Sequence, residues 1–157
     1  MKWLISRIGD LCIDTKQRDP RCTPQETFVY INIATINKNT KTIESPLVIK
    51  GIDAPSRARK EVHTGDILVS TVRPNLNTVA IVPPELEGEV ASTGFCVLRP
   101  DPNLLNNKYL FYRTITQDFI THLTAHMRGA NYPAVTDGIV KSAPIPLPPI
   151  SEQSRIV

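Results

Sequence analysis

Fourteen prolines, set against seven glycines, divide this chain of 157 residues into short segments. Proline lacks the amide donor and fixes φ, so it ends a helix or interrupts a strand ladder wherever it falls inside one. Many of the prolines sit where a periodic pattern changes: Pro74 after one β-rich run, Pro83-Pro84 after a second, Pro100 after a third, and Pro133 beyond a helical stretch. Residues 144–149 form the only linker-like tract, and no internal repeat is visible. The length suits one domain, with a core continuous to about residue 143, and is too small for two.

Between these marks, periodicity assigns the elements. Leu4, Ile5, Ile8, Leu11 and Cys12 recur at spacings of three and four, so residues 3–12 are expected to form a short amphipathic helix, with Gly9 weighing against it. Residues 28–36 are rich in β-branched and aromatic side chains and predict a strand, followed by a turn over 37–40. Thr64-Gly65-Asp66 is turn chemistry leading into a strand over 67–72, and residues 78–82 and 89–98 predict two more strands. From 104 to 127 the pattern turns helical: Leu105, Tyr109, Tyr112, Ile115 or Thr116, Phe119, Leu123 and Met127 mark one long helix or two consecutive ones. Asn103 is the expected cap and Gly129 the left-handed stop. A short helix over 135–142 and an extended segment over 145–147 follow, and Ser151-Glu152-Gln153 opens a last helix with the serine as cap. The expected fold class is α+β: a curled, largely antiparallel sheet with helices packed on it.

Several function classes find no support. Apart from proline-containing segments, no apolar run is longer than 79–82 or 95–98, far below the roughly 20 residues of a spanning helix. Lys2, Arg7 and Asp10 interrupt any signal-peptide core, which points to the cytoplasm. Cys12, Cys22 and Cys96 are odd in number and widely spaced, matching neither a disulfide framework nor a metal pair, so inert thiols are expected. His122 and His126 share a helical face at i, i+4, but Leu123 stands where a zincin carries its glutamate, and packing or surface histidines are the better reading. No Gly-x-Ser-x-Gly elbow, Cys-His context or phosphate loop is present. Asp53 and Asp66 are a weak nuclease pair, because Gly65-Asp66 is routine turn chemistry.

A net charge of +3 does not by itself name a polyanion partner, but its distribution is uneven. Between residues 50 and 80, Lys50, Arg57, Arg59, Lys60 and Arg73 outnumber Asp53, Glu61 and Asp66; a solvated charged face is the plain explanation of such a run. The loops also gather groups suited to duplex DNA: Arg57, Arg59 and Lys60; Ser70, Thr71, Arg73, Asn75 and Asn77; Ser92 and Thr93; Arg128, Asn131 and Tyr132. Arginine and lysine neutralise phosphates, hydroxyls fix register on them, and arginine or asparagine reads purine edges bidentately. By residue type, Arg73, Asn75, Asn77 and Asn131 are the base-reading candidates, while Arg57, Arg59, Lys60, Ser92, Thr93 and Arg128 are phosphate candidates; Thr71 and Tyr132 border them.

Motifs in order sharpen the reading. Gly65-Asp66-Ile67-Leu68-Val69-Ser70-Thr71-Val72-Arg73-Pro74, Ala91-Ser92-Thr93-Gly94-Phe95, Tyr109-Leu110-Phe111-Tyr112, Gly129-Ala130-Asn131-Tyr132-Pro133 and Ile145-Pro146-Leu147-Pro148-Pro149-Ile150-Ser151-Glu152-Gln153 together resemble the target recognition domain of type I restriction-modification specificity subunits. Trp3 and Ile8-Gly9-Asp10-Leu11-Cys12 look like the opening of such a domain, so the resemblance spans nearly the whole chain. It implies a DNA-reading, non-catalytic subunit with a recognition domain over 1–147 and the start of a helical spacer over 148–157. It implies as partners double-stranded DNA approached through the major groove, modification (methyltransferase) subunits, a restriction subunit acting indirectly, and a second recognition domain or copy joined through spacer helices. No cofactor is expected here; S-adenosylmethionine, ATP and magnesium belong to the partners, which methylate an adenine flipped from the stack. A full subunit of the family has two recognition domains; one is expected here, as in an excised domain, a truncated product or a half-subunit that dimerises. Gly65, Gly94, Gly129 and Pro133 are expected to set backbone geometry rather than read bases. The alternative is a protein-interaction module docking modification subunits through the helical surface of 104–127 and the proline-rich tail, with only non-specific DNA contact and with Phe111 exposed off the apolar stripe.

Overall fold

Residues 3–157 are described by a computed structural model; Met1 and Lys2, which open the N-terminal segment, lie outside it. The strands are β1 (Leu4–Arg7), β2 (Cys12–Ile13), β3 (Thr27–Ile31), β4 (Ile36–Asn37), β5 (Thr42–Ile43), β6 (Leu47–Lys50), β7 (Ala58–Glu61), β8 (Ile67–Ser70), β9 (Val79–Ile81), β10 (Val90–Ser92), β11 (Phe95–Pro100) and β12 (Pro144–Leu147). The helices are α1 (Asn107–Thr114), α2 (Gln117–Ala125), α3 (Asp137–Lys141) and α4 (Ile150–Ile156), with short 3-10 turns between strands. Two four-stranded sheets, ordered β6-β3-β10-β7 and β2-β11-β8-β9, are accompanied by two separate two-stranded ladders, β1-β12 and β4-β5. Every pairing is antiparallel except β10 with β3.

The second sheet is buried on both faces, which explains why its strands read as unbroken apolar runs. Ile67 and Val69 of β8, Val79 of β9, and Cys96 and Leu98 of β11 face the helices, where they meet Leu105, Leu110, Phe119, Leu123 and Val140. The alternate residues, Leu68, Ala80, Phe95 and Val97, face the first sheet and pack with Ile31, Val62 and Ala91. Side chains alternate along a strand, so one sheet serves two cores and the molecule has three layers.

Several local expectations are corrected. Residues 3–12 are not a helix: β1 pairs with β12 from Leu4↔Leu147 to Arg7↔Pro144, a 3-10 turn over Ile8–Leu11 follows, and β2 joins the second sheet. Only Ile8 and Leu11 of the periodic set are buried, while Leu4 and Ile5 are 79% and 64% exposed. Gly9 lies under α3, where a Cβ would sit 2.8 Å from that of Lys141. The strand expected over 28–36 breaks at Asn32, whose side chain accepts the Thr35 amide and caps a 3-10 turn before β4. The run 89–98 is two strands in different sheets, separated by the turn at Thr93-Gly94. The helical stretch is two helices. Asn106, not Asn103, caps α1 through the amides of Lys108 and Tyr109, and Thr116 caps α2. Helix α2 ends at Ala125, four residues before Gly129. Ser151 lies inside α4, which begins after Pro149 without a side-chain cap. No helix among the described residues is long and apolar enough to cross a membrane.

Candidate nucleic-acid interface

Four loops converge where the two sheets and α2 meet, and backbone hydrogen bonds join them into one seam. The Thr93 amide donates to the Arg57 carbonyl at 2.9 Å, linking the β10–β11 turn to the turn before β7. The Thr71 amide donates to Gly94 O at 2.9 Å, adding the β8–β9 loop. Val135 N donates to Thr71 O at 2.9 Å and Arg73 N to Pro133 O at 2.7 Å, which bring in the loop between α2 and α3. That last loop is closed by reciprocal bonds between Arg128 and Ala134.

Along this seam the sequence-predicted residues divide into tips and frame. Arg57, Arg73, Asn75, Thr93, Arg128, Asn131 and Tyr132 are exposed. Thr71, Ser92 and Asn77 are buried and face inward. Thr71 Oγ1 donates to Gly94 O at 3.0 Å, Ser92 Oγ accepts the Gly94 amide at 3.0 Å, and Asn77 Nδ2 donates to Thr114 O at 2.9 Å. Lys60 is committed as a brace between layers, its ammonium bound to Phe95 O at 2.5 Å and to Asp137 Oδ2 at 2.7 Å. Arg59 is half-buried, with its guanidinium 3.6 Å from Asp19. The side chains that meet solvent are therefore carried on residues that do not.

The β8–β9 loop is held in an unusual shape. Arg73 (φ +47°) and Asn77 (φ +51°) both adopt the left-handed region and bracket a 3-10 turn over Pro74–Leu76. Each such non-glycine residue costs about 1–3 kcal/mol and persists only where its surroundings hold it. The surroundings are specific: Arg73 N is bound to Pro133, Asn77 O accepts Lys41 Nζ at 2.6 Å, and α2 packs against the turn. The Arg73 guanidinium lies over the Tyr132 ring, 5.2 Å from its centroid, within cation–π range. Gly129 (φ +102°) starts the Tyr132 turn, where a Cβ would come within 2.9 Å of Tyr132 O. Leu76, 43% exposed at the same tip, was not singled out by sequence reasoning; only its place between two asparagines after a proline hints at it.

Other polar groups are committed to structure. Asp66, 1% exposed, forms a two-point pair with Arg99 at 2.9 and 2.8 Å and accepts the His63 amide, and it raises the Arg99 pKa above its ordinary value. The pair lines a cleft of about 530 Å³ beside α4, lying apart from the four loops, while Asp53 is exposed on a separate turn. His122 Nε2 meets Ile139 O and Ser142 Oγ, and His126 Nδ1 meets His122 O. No group of three or more His, Cys, Asp or Glu side chains suited to hold a metal occurs among the described residues. Gln153, which sequence reasoning read only as part of a helix start, is fully buried: its amide donates to Leu104 O and Pro148 O, and its oxygen accepts the Asn106 amide. Phe111 packs against the core beneath the helices, while Tyr112 is 51% exposed, the reverse of the expected pattern.

Exposed polar tips thus stand on a buried, hydrogen-bonded frame. The family model for the type I restriction modification DNA specificity domain matches residues 1–157, and the chain belongs to that family. It is 30% identical over 159 residues to the Type I restriction enzyme HindI specificity subunit of Haemophilus influenzae, covering 99% of this chain and 34% of that protein. It superposes on the crystal structure of the HsdS subunit from Thermoanaerobacter tengcongensis with a TM-score of 0.92 and 44% identity, over 98% of this chain and 40% of that one. A structure reported for complex assembly and conformational transition of the type I R-M system gives a TM-score of 0.93 at 44% identity, over 99% and 40%. The S subunit from M. genitalium shares the fold at a TM-score of 0.59 and 14% identity. The chain thus spans between a third and two fifths of the length of these relatives.

Proposed function

We propose that this chain reads one half of a bipartite double-stranded DNA target from the major groove, in the cytoplasm and without catalysing a reaction. The observation that carries this reading is the seam, which ties four loops together and leaves Arg57, Arg73, Asn75, Thr93, Arg128, Asn131 and Tyr132 at its exposed tips. Arg57 and Arg128 have the charge and exposure to neutralise phosphates, with Thr93 fixing register, while Arg73, Asn75 and Asn131 have the fork or amide geometry that base edges require. Asn77, Ser92, Thr71 and Lys60 act as frame, and Arg59, paired with Asp19, contributes little free charge.

On this reading residues 1–147 are the recognition unit and 148–157 begin a helical spacer that leads to a second recognition unit. Modification subunits carrying S-adenosylmethionine, and a restriction subunit using ATP and magnesium, then act at the site this chain selects. The test is selection from a randomised duplex pool at roughly 50 mM salt, followed by salt titration of the recovered sequences. A short asymmetric motif is the expected result. Arg128→Ala should weaken binding on every sequence and flatten the salt slope by about one unit, and Asn75→Ala should alter preference at one position. Salt-sensitive binding with no motif, or equal effects of both variants on all sequences, overturns the reading.

A further inference from the structure

We infer that Arg73 reads a guanine and that Tyr132 is the residue that positions it. This rests on the DNA-reading function proposed above and names the base and the side-chain pair within that site. A guanidinium presents parallel N–H donors that match the N7 and O6 acceptors of guanine in the major groove, a match that no other base pair offers in the same geometry. An arginine on a loop ordinarily loses much rotamer freedom when it makes such a contact.

At Arg73 several restraints limit that freedom before any ligand arrives. Its backbone is left-handed, its amide is bound to Pro133 O at 2.7 Å, and the next residue is a proline that opens a rigid 3-10 turn. Its guanidinium rests on the Tyr132 ring, 5.2 Å from the centroid. Tyr132 is itself 73% exposed, so burial does not explain its position; it stands at the tip beside the arginine. Among the described residues no carboxylate lies within 4.0 Å of the guanidinium of Arg73, Arg57 or Arg128, in contrast to Arg21, Arg59, Arg99, Arg113 and Arg155, and of these three free arginines of the seam Arg73 is the one recorded over an aromatic ring. The donor face is thus held in orientation by a ring and not consumed by an acid. An arginine meant only for phosphate needs charge and reach, whereas one with a fixed backbone and a ring beneath its guanidinium suits planar, bidentate contact.

The experiment uses the half-site recovered by selection, with each guanine replaced singly by 7-deazaguanine, which lacks the N7 acceptor, and by inosine, which keeps N7 and O6. At one position 7-deazaguanine should weaken binding to the wild-type chain about 10-fold or more while inosine does not. Arg73→Ala and Arg73→Lys should both lose discrimination at that position only, the lysine retaining charge without the fork. Tyr132→Phe should keep the preference, because the ring is what matters. Tyr132→Ala should reduce discrimination at the same base and leave other positions unchanged. Thermal unfolding of each variant checks that the fold is retained. A half-site without guanine overturns the inference, as does an Arg73→Lys chain that discriminates like wild type. An Arg73→Ala chain weakened equally on all sequences with a flatter salt slope does the same, since that marks a phosphate contact. In these cases the recognition reading stands, whereas failure of the wild-type chain to select any motif overturns both.

Discussion

Replacing Gln153 with leucine tests how α4 is fastened to the domain. The wild-type side chain is fully buried and spans three backbone groups: the Asn106 amide at 2.7 Å, the Leu104 carbonyl at 3.0 Å and the Pro148 carbonyl at 2.9 Å. Leucine fills a similar volume but satisfies none of them. An unpaired buried polar group costs about 1–3 kcal/mol, and the segment around α4 can relax to let water reach some of them, so a total near 3 kcal/mol is expected. With an unfolding entropy of roughly 2 cal/mol/K per residue, that loss corresponds to a fall in Tm of about 9 °C for a chain of this length. Calorimetry measures the fall, and hydrogen exchange should show the Asn106 amide deprotected. Ser154→Ala, at an exposed neighbour, should stay close to wild type. A fall of less than about 3 °C together with an Asn106 amide that exchanges as slowly as before would refute the idea that this side chain is the fastening.

Other outcomes follow from the same structure. Burial pushes the thiols of Cys12 and Cys96 up to about 12, while Cys22 is exposed, so iodoacetamide at pH 8 should label Cys22 alone in the folded chain and all three in denaturant, as read by mass spectrometry. Glu87 accepts the Thr64 amide, which, with the nearby His63, holds its pKa below the usual carboxylate value. Because the folded value lies below the unfolded one, its contribution is full above about pH 4.3 and is lost as pH falls through the folded value. Glu87→Gln should therefore flatten the acid limb of stability measured by urea unfolding between pH 3 and 6. Gly129→Ala forces a side chain into a positive φ and against Tyr132 O, so it should cost roughly 1–2 kcal/mol in thermal unfolding and weaken selective DNA binding; Gly88→Ala, which shares the positive φ but whose added Cβ would meet nothing within 4 Å, should cost stability without that loss of selective binding.

Local chemistry made some of the molecule legible and long-range pairing hid the rest. The turn at Thr64-Gly65-Asp66, the strand after it and the helical character of 104–127 depend on nearby residues and were readable, although the strand expected to 72 ends at Ser70 and the helices occupy Asn107–Thr114 and Gln117–Ala125. The first strand was not, because Leu4 and Ile5 owe their conformation to a ladder with residues 146 and 147, and their 3–4 spacing imitates a helix. The run 89–98 hid a turn for a different reason: it is apolar on both sides of Thr93-Gly94 because its two halves enter different buried sheets. For the interface, residue type located the loops but did not separate tips from frame. Asn75 and Asn77 stand two apart in one turn, yet one is exposed and the other bonds Thr114 beneath it. That difference arises from a left-handed residue and a helix packed below, neither of which leaves a mark in composition.

The pairing of β1 with β12 brings positions far apart in the chain side by side. Leu4 and Leu147 face each other across an antiparallel ladder, where Cα atoms are roughly 5 Å apart, so everything between them leaves and rejoins the backbone at a single point. A host protein receiving residues 4–147 at a surface loop would not have to open that loop beyond the width of one strand pair, but the transfer would leave behind Gln153 and its bonds to Leu104 and Asn106, so apolar or polar replacements for that contact would have to be built in. The ends can equally be moved: a short bridge across positions 4 and 147, with new termini at the exposed Asn39 in the turn between β4 and β5, leaves both four-stranded sheets and all four loops of the seam on an unbroken chain.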